Sequence, residues 1–296
     1  MTRSVKNLAS YPLSRRTFSA GILTFLATHT LANAEASAPK IAALDWAWAE
    51  TLLALNVSPF AATETALYRE RVTTPELPSN VIDLGLRSWP NMELLKSLRP
   101  DLIITQTAYG VQATSLEAIA PTLSLPLFTP QRHPLELAEA GMRTIATRVS
   151  QDRRADEYIA GFNQKLSDVR QRLHSYDGLP LLIVKFADER ILDIYGAGSL
   201  FHDVIGRLGL SNAWTGSSNS WGFSTAGLDA IAMNTQARLV ILEPGPPAAL
   251  LDSDLWRAIP AVRANRVLSI PPTWVFGGMP SAMRFATILG KALENA

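Results

Sequence analysis

From residue 81 the chain reads VIDLGLRSWPNMELLKSLRPDLIITQTAYG, and its apolar positions carry two periods. Met92, Leu94, Leu95 and Leu98 recur at helical spacing and Pro100 marks the stop, whereas DLIIT is a short apolar run typical of a buried strand. Arg87 therefore falls in the loop feeding the helix, and Tyr109 just beyond the strand's carboxyl end. That edge is where open α/β sheets hold ligands. Taken alone, the two read more simply as a surface arginine and a part-buried tyrosine.

The alternation extends in both directions. KIAALDW predicts a strand, AETLLALN a helix, Val81 to Leu84 a strand, and TLSLPLF closes the run; with a helix from Pro134 to about Val149 they form one α/β lobe over residues 39–149. Ser150 reads as the N-cap of a longer helix whose Ala155, Tyr158, Ile159, Phe162, Leu166, Val169 and Leu173 make one stripe. About twenty helical residues span ~30 Å, the diameter of a small domain, so residues 150–176 predict a strut. The stripe is too short for a coiled coil. After YDGLP the alternation resumes with LLIVKFA, LDIYG, a helix from Leu200 to Leu208, RLVILE, a helix near Leu250 to Ala258, RVLSIP and a closing helix after Pro280. This is a second α/β lobe, residues 177–296. The expected fold class is α/β: two lobes joined by one long helix, with a ligand cleft between them.

The first residues alter the setting. Arg15 and Arg16 in SRRTFSA, the apolar run from Ala20 to Leu31 and the small-x-small Ala32-Asn33-Ala34 have the form of an export signal over residues 1–34, of the twin-arginine type. The run is far short of the ~20 residues that span a bilayer. With no cysteine there is no disulfide framework and no thiol for a lipid anchor, so the mature protein is expected to be free in the periplasm. The leader holds four basic residues (Arg3, Lys6, Arg15, Arg16) and no acidic one, so its removal turns a net charge of +1 into −3. That balance, without a basic run, argues against nucleic acid as a partner.

Several chemistries lack their residues. The histidines outside the leader, His133, His174 and His202, are far apart and none has a second ligand at metal-binding spacing. GAGSLF is no nucleophile elbow, because its serine follows the second glycine, where it suits a helix cap. No phosphate-binding glycine loop occurs. Asp45 and Glu50 fit an acid/base pair or two solvated charges equally well. Catalysis is the weaker reading. Among the tryptophans, Trp214 and Trp256 suit the core, Trp46 and Trp48 suit core or cleft, and Trp221 and Trp274 lie in Gly-, Ser- and Pro-rich loops that favour a pocket.

The segments LDWAWAETLLALNVSPFA, VIDLGLRSWPNMELLKSLRPDLI with Tyr109, GSLFHDVIGRLGLSNAW followed by WG, and LWRAIPAVRANRVLSIP followed by SAMRF resemble the periplasmic ferric hydroxamate siderophore-binding proteins of ABC importers, from about Lys40 to Leu293. LRPDLII is shared with haem and cobalamin binders; VIDLGLR, NAW with WG, and the Trp274 segment are narrower. The resemblance implies two lobes with little hinge motion and a shallow cleft that grips a ferric chelate. It implies that Arg87 and Tyr109 donate hydrogen bonds to hydroxamate oxygens while Trp221, Trp274 and Phe276 pack on the carbon framework. The siderophore would satisfy the iron, so no protein metal ligand and no cofactor are expected. Arg87 is costly to bury unpaired, so an acidic neighbour should hold it in the empty site. The implied partners are a ferric siderophore and an inner-membrane ABC permease, met by a monomer through Asp229 in the second lobe. In the first lobe the matching position is Thr114, with Glu117 one turn later. The chain departs from the family at Arg71 and Thr105, where aromatic residues are expected, and at Phe223, where a serine is expected. A haem or cobalamin receptor shares the fold but makes less use of Arg87 and Tyr109; an exported siderophore-processing enzyme is supported by the leader alone.

Overall fold

Strand β1 (Ile41–Ala43) has no solvent-exposed residue, which is the condition of a strand covered on both faces. A computed structural model describes residues 38–294 and builds its first sheet around this strand. The leader expected over residues 1–34 lies outside the described residues.

In chain order α1 (Trp46–Ala54), β2 (Ala61–Ala62), α2 (Thr65–Arg71), β3 (Ile82–Asp83), α3 (Met92–Leu98), β4 (Leu102–Gln106), α4 (Ala113–Glu117) and β5 (Thr122–Leu125) follow β1. The sheet order is β3-β2-β1-β4-β5 and every pairing is parallel. Asn91 starts α3 by accepting from the Leu94 amide, and Arg99 ends it in the left-handed region before Pro100. Two antiparallel helices come next, α5 (Pro134–Arg148) and α6 (Asp152–Arg172), the second prolonged by a 3-10 turn at Leu173–Ser175. Ser150 does not cap α6. It adopts φ +56° in the link from α5, and Gln151 occupies the cap position.

The second lobe contains β6 (Leu181–Phe186), β7 (Ile191–Tyr195), α7 (Leu200–Arg207), β8 (Phe223–Gly227), α8 (Leu228–Met233), β9 (Arg238–Leu242), α9 (Ala248–Leu251), α10 (Asp254–Ala258), α11 (Pro260–Arg263), β10 (Val267–Ile270) and α12 (Met279–Glu294). Its sheet, β10-β9-β6-β7-β8, is parallel through β6 and antiparallel beyond. Ser199 caps α7 by accepting from the His202 amide, as expected of that serine. The helix expected near Leu250 to Ala258 is broken after Leu251, because Ser253 accepts from the Trp256 amide and restarts it as α10.

One core runs through both lobes. Trp46, Trp48 and Leu52 of α1, Met142 and Ile145 of α5, Ile159, Phe162 and Leu166 of α6, Phe201 of α7 and Phe285 and Leu289 of α12 belong to a single buried cluster. Within this seam α12, from the second lobe, packs against α1, α5 and α6. Glu50 of α1 is completely buried and accepts from the Gly278 amide (2.6 Å), the Ser281 amide (3.3 Å) and Ser281 Oγ (2.7 Å), which closes the N-terminus of α12. A carboxylate of one lobe thus terminates a helix of the other. Leu135 N donating to Asp203, and Arg132 donating to the Ser218 carbonyl (2.6 Å), tie the lobes at a second place.

Candidate functional site

Four loops meet at the carboxyl edge of the first sheet, on both sides of the switch between β1 and β4, where this topology opens a crevice. Behind β1, Asp45 accepts from the Ala47 amide at 2.9 Å and starts α1, which turns Trp46 inward; its Nε1 donates to the Thr63 carbonyl. Behind β2, Glu64 holds φ +47°, an uncommon conformation for a residue with a Cβ. Behind β3, Arg87 Nε donates to Glu64 Oε2 at 2.6 Å. This is the acidic neighbour expected for it. Behind β4, Ala108 (φ +63°) and Gly110 (φ +68°) set Tyr109 between two left-handed residues. A Cβ on Gly110 would lie 2.8 Å from the Arg87 carbonyl oxygen, so the Tyr109 and Arg87 loops lock together only with glycine there. Glu64 and Ala108 thus hold uncommon backbone beside these two polar side chains.

The guanidinium carbon of Arg87 lies 3.8 Å from the Trp46 ring centre and 4.8 Å from that of Trp274. Stacking on two rings holds the charge where only 15% of its side chain is exposed. The two Nη groups find no acceptor among the described residues, and neither does the Tyr109 hydroxyl. They are donors without a protein partner.

The second lobe answers with rings. Gly222 (φ +81°) packs so tightly on the start of α7 that a Cβ would overlap the Ser199 backbone, and Asn219 Oδ1 accepts from the Trp221 and Phe223 amides at 2.9 and 3.2 Å. Together these fix Trp221 and begin β8. Trp274 and Phe276 come from the segment joining β10 to α12. Ring centres run from Tyr109 to Trp221 (5.6 Å), Trp221 to Phe276 (5.4 Å), Phe276 to Trp274 (5.5 Å) and Trp274 to Trp46 (4.6 Å), and so back to Arg87. This closed rim crosses between lobes at both ends. Phe128 backs Trp221 from the first lobe at 5.4 Å.

Arg87, Tyr109, Trp221, Trp274 and Phe276 all line one cavity of about 400 Å³. Trp274 is only 5% exposed and forms the floor rather than a wall. Trp46 and Trp48 are both buried, Trp46 beneath Arg87 and Trp48 deep in the core. Asp229 and Glu117 lie outside the cavity, exposed on α8 and α4. A larger groove, about 840 Å³, sits wholly in the second lobe, and Glu243 is its one charged residue. Arg71 reaches the cavity, whereas Thr105 is buried in β4 and its neighbour Gln106 faces the space instead.

The sequence marked Phe223 only as a departure from the family at the cleft, and it gave no sign of Asp45, Tyr195, Lys185 and Asp193 as lining residues. The sign for Phe223 was its place directly after the Trp-Gly turn; β7 carries two of the others and offers no such sign. Asp45 and Glu50 are not solvated. Burial raises the Asp45 carboxyl to about 6, against the pull of Arg87 and of the Ala47 and Trp48 amides. It raises Glu50 to about 8, against the Ser281 hydroxyl and the Gly278 and Ser281 amides, with Asp45 adding a further push upward. Glu50 has its bonds filled within the seam, away from the cavity. Among the described residues no group of three His, Cys, Asp or Glu side chains is placed to hold a metal ion.

Residues 41–273 match the periplasmic binding protein family, which is most of the chain. The chain belongs to that family. A curated member, the iron(3+)-hydroxamate-binding protein FhuD of Escherichia coli K12, is 32% identical over 257 residues, covering 86% of each chain. The crystal structure of the Fe3+-Desferal-bound siderophore-binding protein FhuD from Vibrio cholerae superposes with a TM-score of 0.81 at 30% identity, over 87% of this chain and 98% of that one. The petrobactin-binding protein YclQ of Bacillus subtilis, at 18% identity and a TM-score of 0.71 over 86% and 92%, shares the fold. The family shares the two-lobed fold with a connecting helix, and the curated relatives are substrate-binding proteins.

Proposed function

We propose that this protein is a periplasmic receptor that captures a ferric hydroxamate siderophore in the inter-lobe cleft and delivers it to an inner-membrane ABC permease, without catalysis. One observation carries the reading: Arg87 and Tyr109, with donors lacking an acceptor among the described residues, face aromatic rings within one cavity. A ferric hydroxamate presents electron-rich oxygens around the iron and hydrocarbon arms beyond. The guanidinium and phenol suit the oxygens, with charge-assisted bonds of about 1.5–3 kcal/mol each, and the rings suit the arms. Glu64 keeps Arg87 aimed through Nε while its Nη groups engage the ligand. Iron arrives with its coordination filled, as cargo, so the protein supplies neither metal ligands nor a cofactor.

The two FhuD relatives, one a hydroxamate binder by name and one seen with ferric Desferal, support this assignment. On the same reading residues 1–34 are a twin-arginine export signal, the mature protein works as a monomer, and the exposed Asp229 and Glu117, one per lobe, meet the permease. Quenching of tryptophan fluorescence during titration with ferric hydroxamates, a ferric catecholate, haem and cobalamin tests the proposal. Saturable quenching by a hydroxamate at micromolar or lower concentration is expected; its absence, or chemical turnover of the ligand, would overturn the reading.

A further inference from the structure

Arg71 ends α2 in the first lobe and Lys185 is the penultimate residue of β6 in the second, yet both line the aromatic cavity. Both also line an adjoining chamber of about 410 Å³, and the two spaces share Arg71, Lys185, Asp193 and Trp274. Two cations from opposite lobes therefore face a common opening. Their surroundings differ from those of Arg87. Arg87 has Glu64, whereas neither Arg71 nor Lys185 forms an ion pair or hydrogen bond with any described residue.

Carboxylates line the same spaces, Asp45 and Asp193 in the aromatic cavity and Glu70, Asp193 and Glu243 in the adjoining chamber, but none forms an ion pair with Arg71 or Lys185. Asp193 stands directly opposite Lys185 in the β6–β7 register, but it accepts from Thr225 Oγ1 at 2.8 Å and makes no ion pair with the lysine. Burial, and then the repulsion of Arg71, depress the Lys185 ammonium more than Asp193 supports it. Asp45 caps α1, Glu70 lines the adjoining chamber, and Glu243 lines both that chamber and the larger second-lobe groove. Lys185 is half-buried and Arg71 exposed, and two like charges on one opening are unfavourable until an anion stands between them. A guanidinium and an ammonium at that spot suit a carboxylate.

We propose that Arg71 and Lys185 form an anion-receiving end of the cleft, so that the preferred cargo is a ferric hydroxamate bearing a pendant carboxylate. This rests on the hydroxamate reading above and adds the charge of the ligand's periphery. Arg87 and Tyr109 hold the iron centre, while Arg71 and Lys185 select what hangs from it.

Ferric Desferal, which ends in an ammonium, and its N-acetyl and N-succinyl derivatives share one iron centre and differ only in that terminal charge. Fluorescence titration of the purified protein with all three should show the succinyl form bound at least about ten-fold tighter than the ammonium form, with the acetyl form between. In R71Q/K185Q, checked for an unchanged unfolding midpoint, the preference should fall to within about two-fold, and raised ionic strength should shrink it in the parent protein. Equal affinities in the parent, or a preference that survives in R71Q/K185Q, would overturn the proposal while leaving the hydroxamate receptor standing. Failure of all three ligands to bind, or tighter binding of a ferric catecholate than of any of them, would overturn the hydroxamate reading itself.

Discussion

Along the seam of α1, α5, α6 and α12 the lobes meet through a buried core in which even an acidic side chain, Glu50, accepts three hydrogen bonds. Across the cleft the same lobes meet through ring edges and cations, and Arg87 and Tyr109 keep donors that no protein group satisfies. The contrast separates two tasks. A seam of this kind opposes hinge bending, because opening it would expose continuous core and uncap α12. On the proposed function a ligand completes its counterpart, and recognition then requires side-chain settling on a preformed frame rather than closure of two jaws, which keeps the ordering entropy of binding low.

Breaking the seam should have the largest effect. Glu50→Ala leaves the Gly278 and Ser281 amides and the Ser281 hydroxyl without their buried acceptor, and a loss of about 3 kcal/mol of unfolding free energy is expected in urea. The protein that remains folded should bind ligand with little change; a variant of normal stability would show that the lobes are not welded there.

Next in size is the dependence of stability on pH. The folded Glu50 carboxyl titrates near 8 against an ordinary 4.5, so between those values the folded state holds a proton that the unfolded chain has released. Stability therefore falls as pH rises through that window and levels off above it, by at most about 1.4 kcal/mol per pH unit. Asp45 adds the same sign between 3.8 and about 6. Glu50→Gln should flatten the slope between pH 6 and 8, as read by urea midpoints; an unchanged slope would place the titration elsewhere. On the cleft side, Trp221→Ala removes the ring that spans the lobes beside Tyr109. It should weaken ligand binding about ten-fold while shifting unfolding by less than about 1 kcal/mol, since Trp221 is only half-buried.

How legible the two regions were in the sequence differs for physical reasons. Strands β1, β4, β6 and β9 are apolar runs buried by the sheet and its helices, and they read directly as strands; β10, at the sheet edge and only partly buried, reads from its apolar VLSI. Two-residue β2 is too short to show a period, and β8, FSTAG, is an edge strand with little apolar content, whereas β3 falls within the strand predicted from Val81 to Leu84. The polar half of the site was readable because Arg87 and Tyr109 follow predicted strands at the carboxyl edge. Lys185 and Asp193 were not, since only the antiparallel register of β6 and β7 sets them side by side at the cleft. Glu50 looked like a solvated helix charge because nothing local announces that α12, more than two hundred residues later, arrives to cover it.

The central claim is that Arg87 and Tyr109 belong to recognition and the seam to stability. Titration of ferric Desferal against the parent protein, Arg87→Ala and Tyr109→Phe, with thermal unfolding of each, tests it most directly. Affinity should fall about 100-fold for Arg87→Ala and about ten-fold for Tyr109→Phe, with unfolding free energies held within about 1 kcal/mol. Variants that bind normally once folded but unfold easily would show both residues to be structural and would contradict the account.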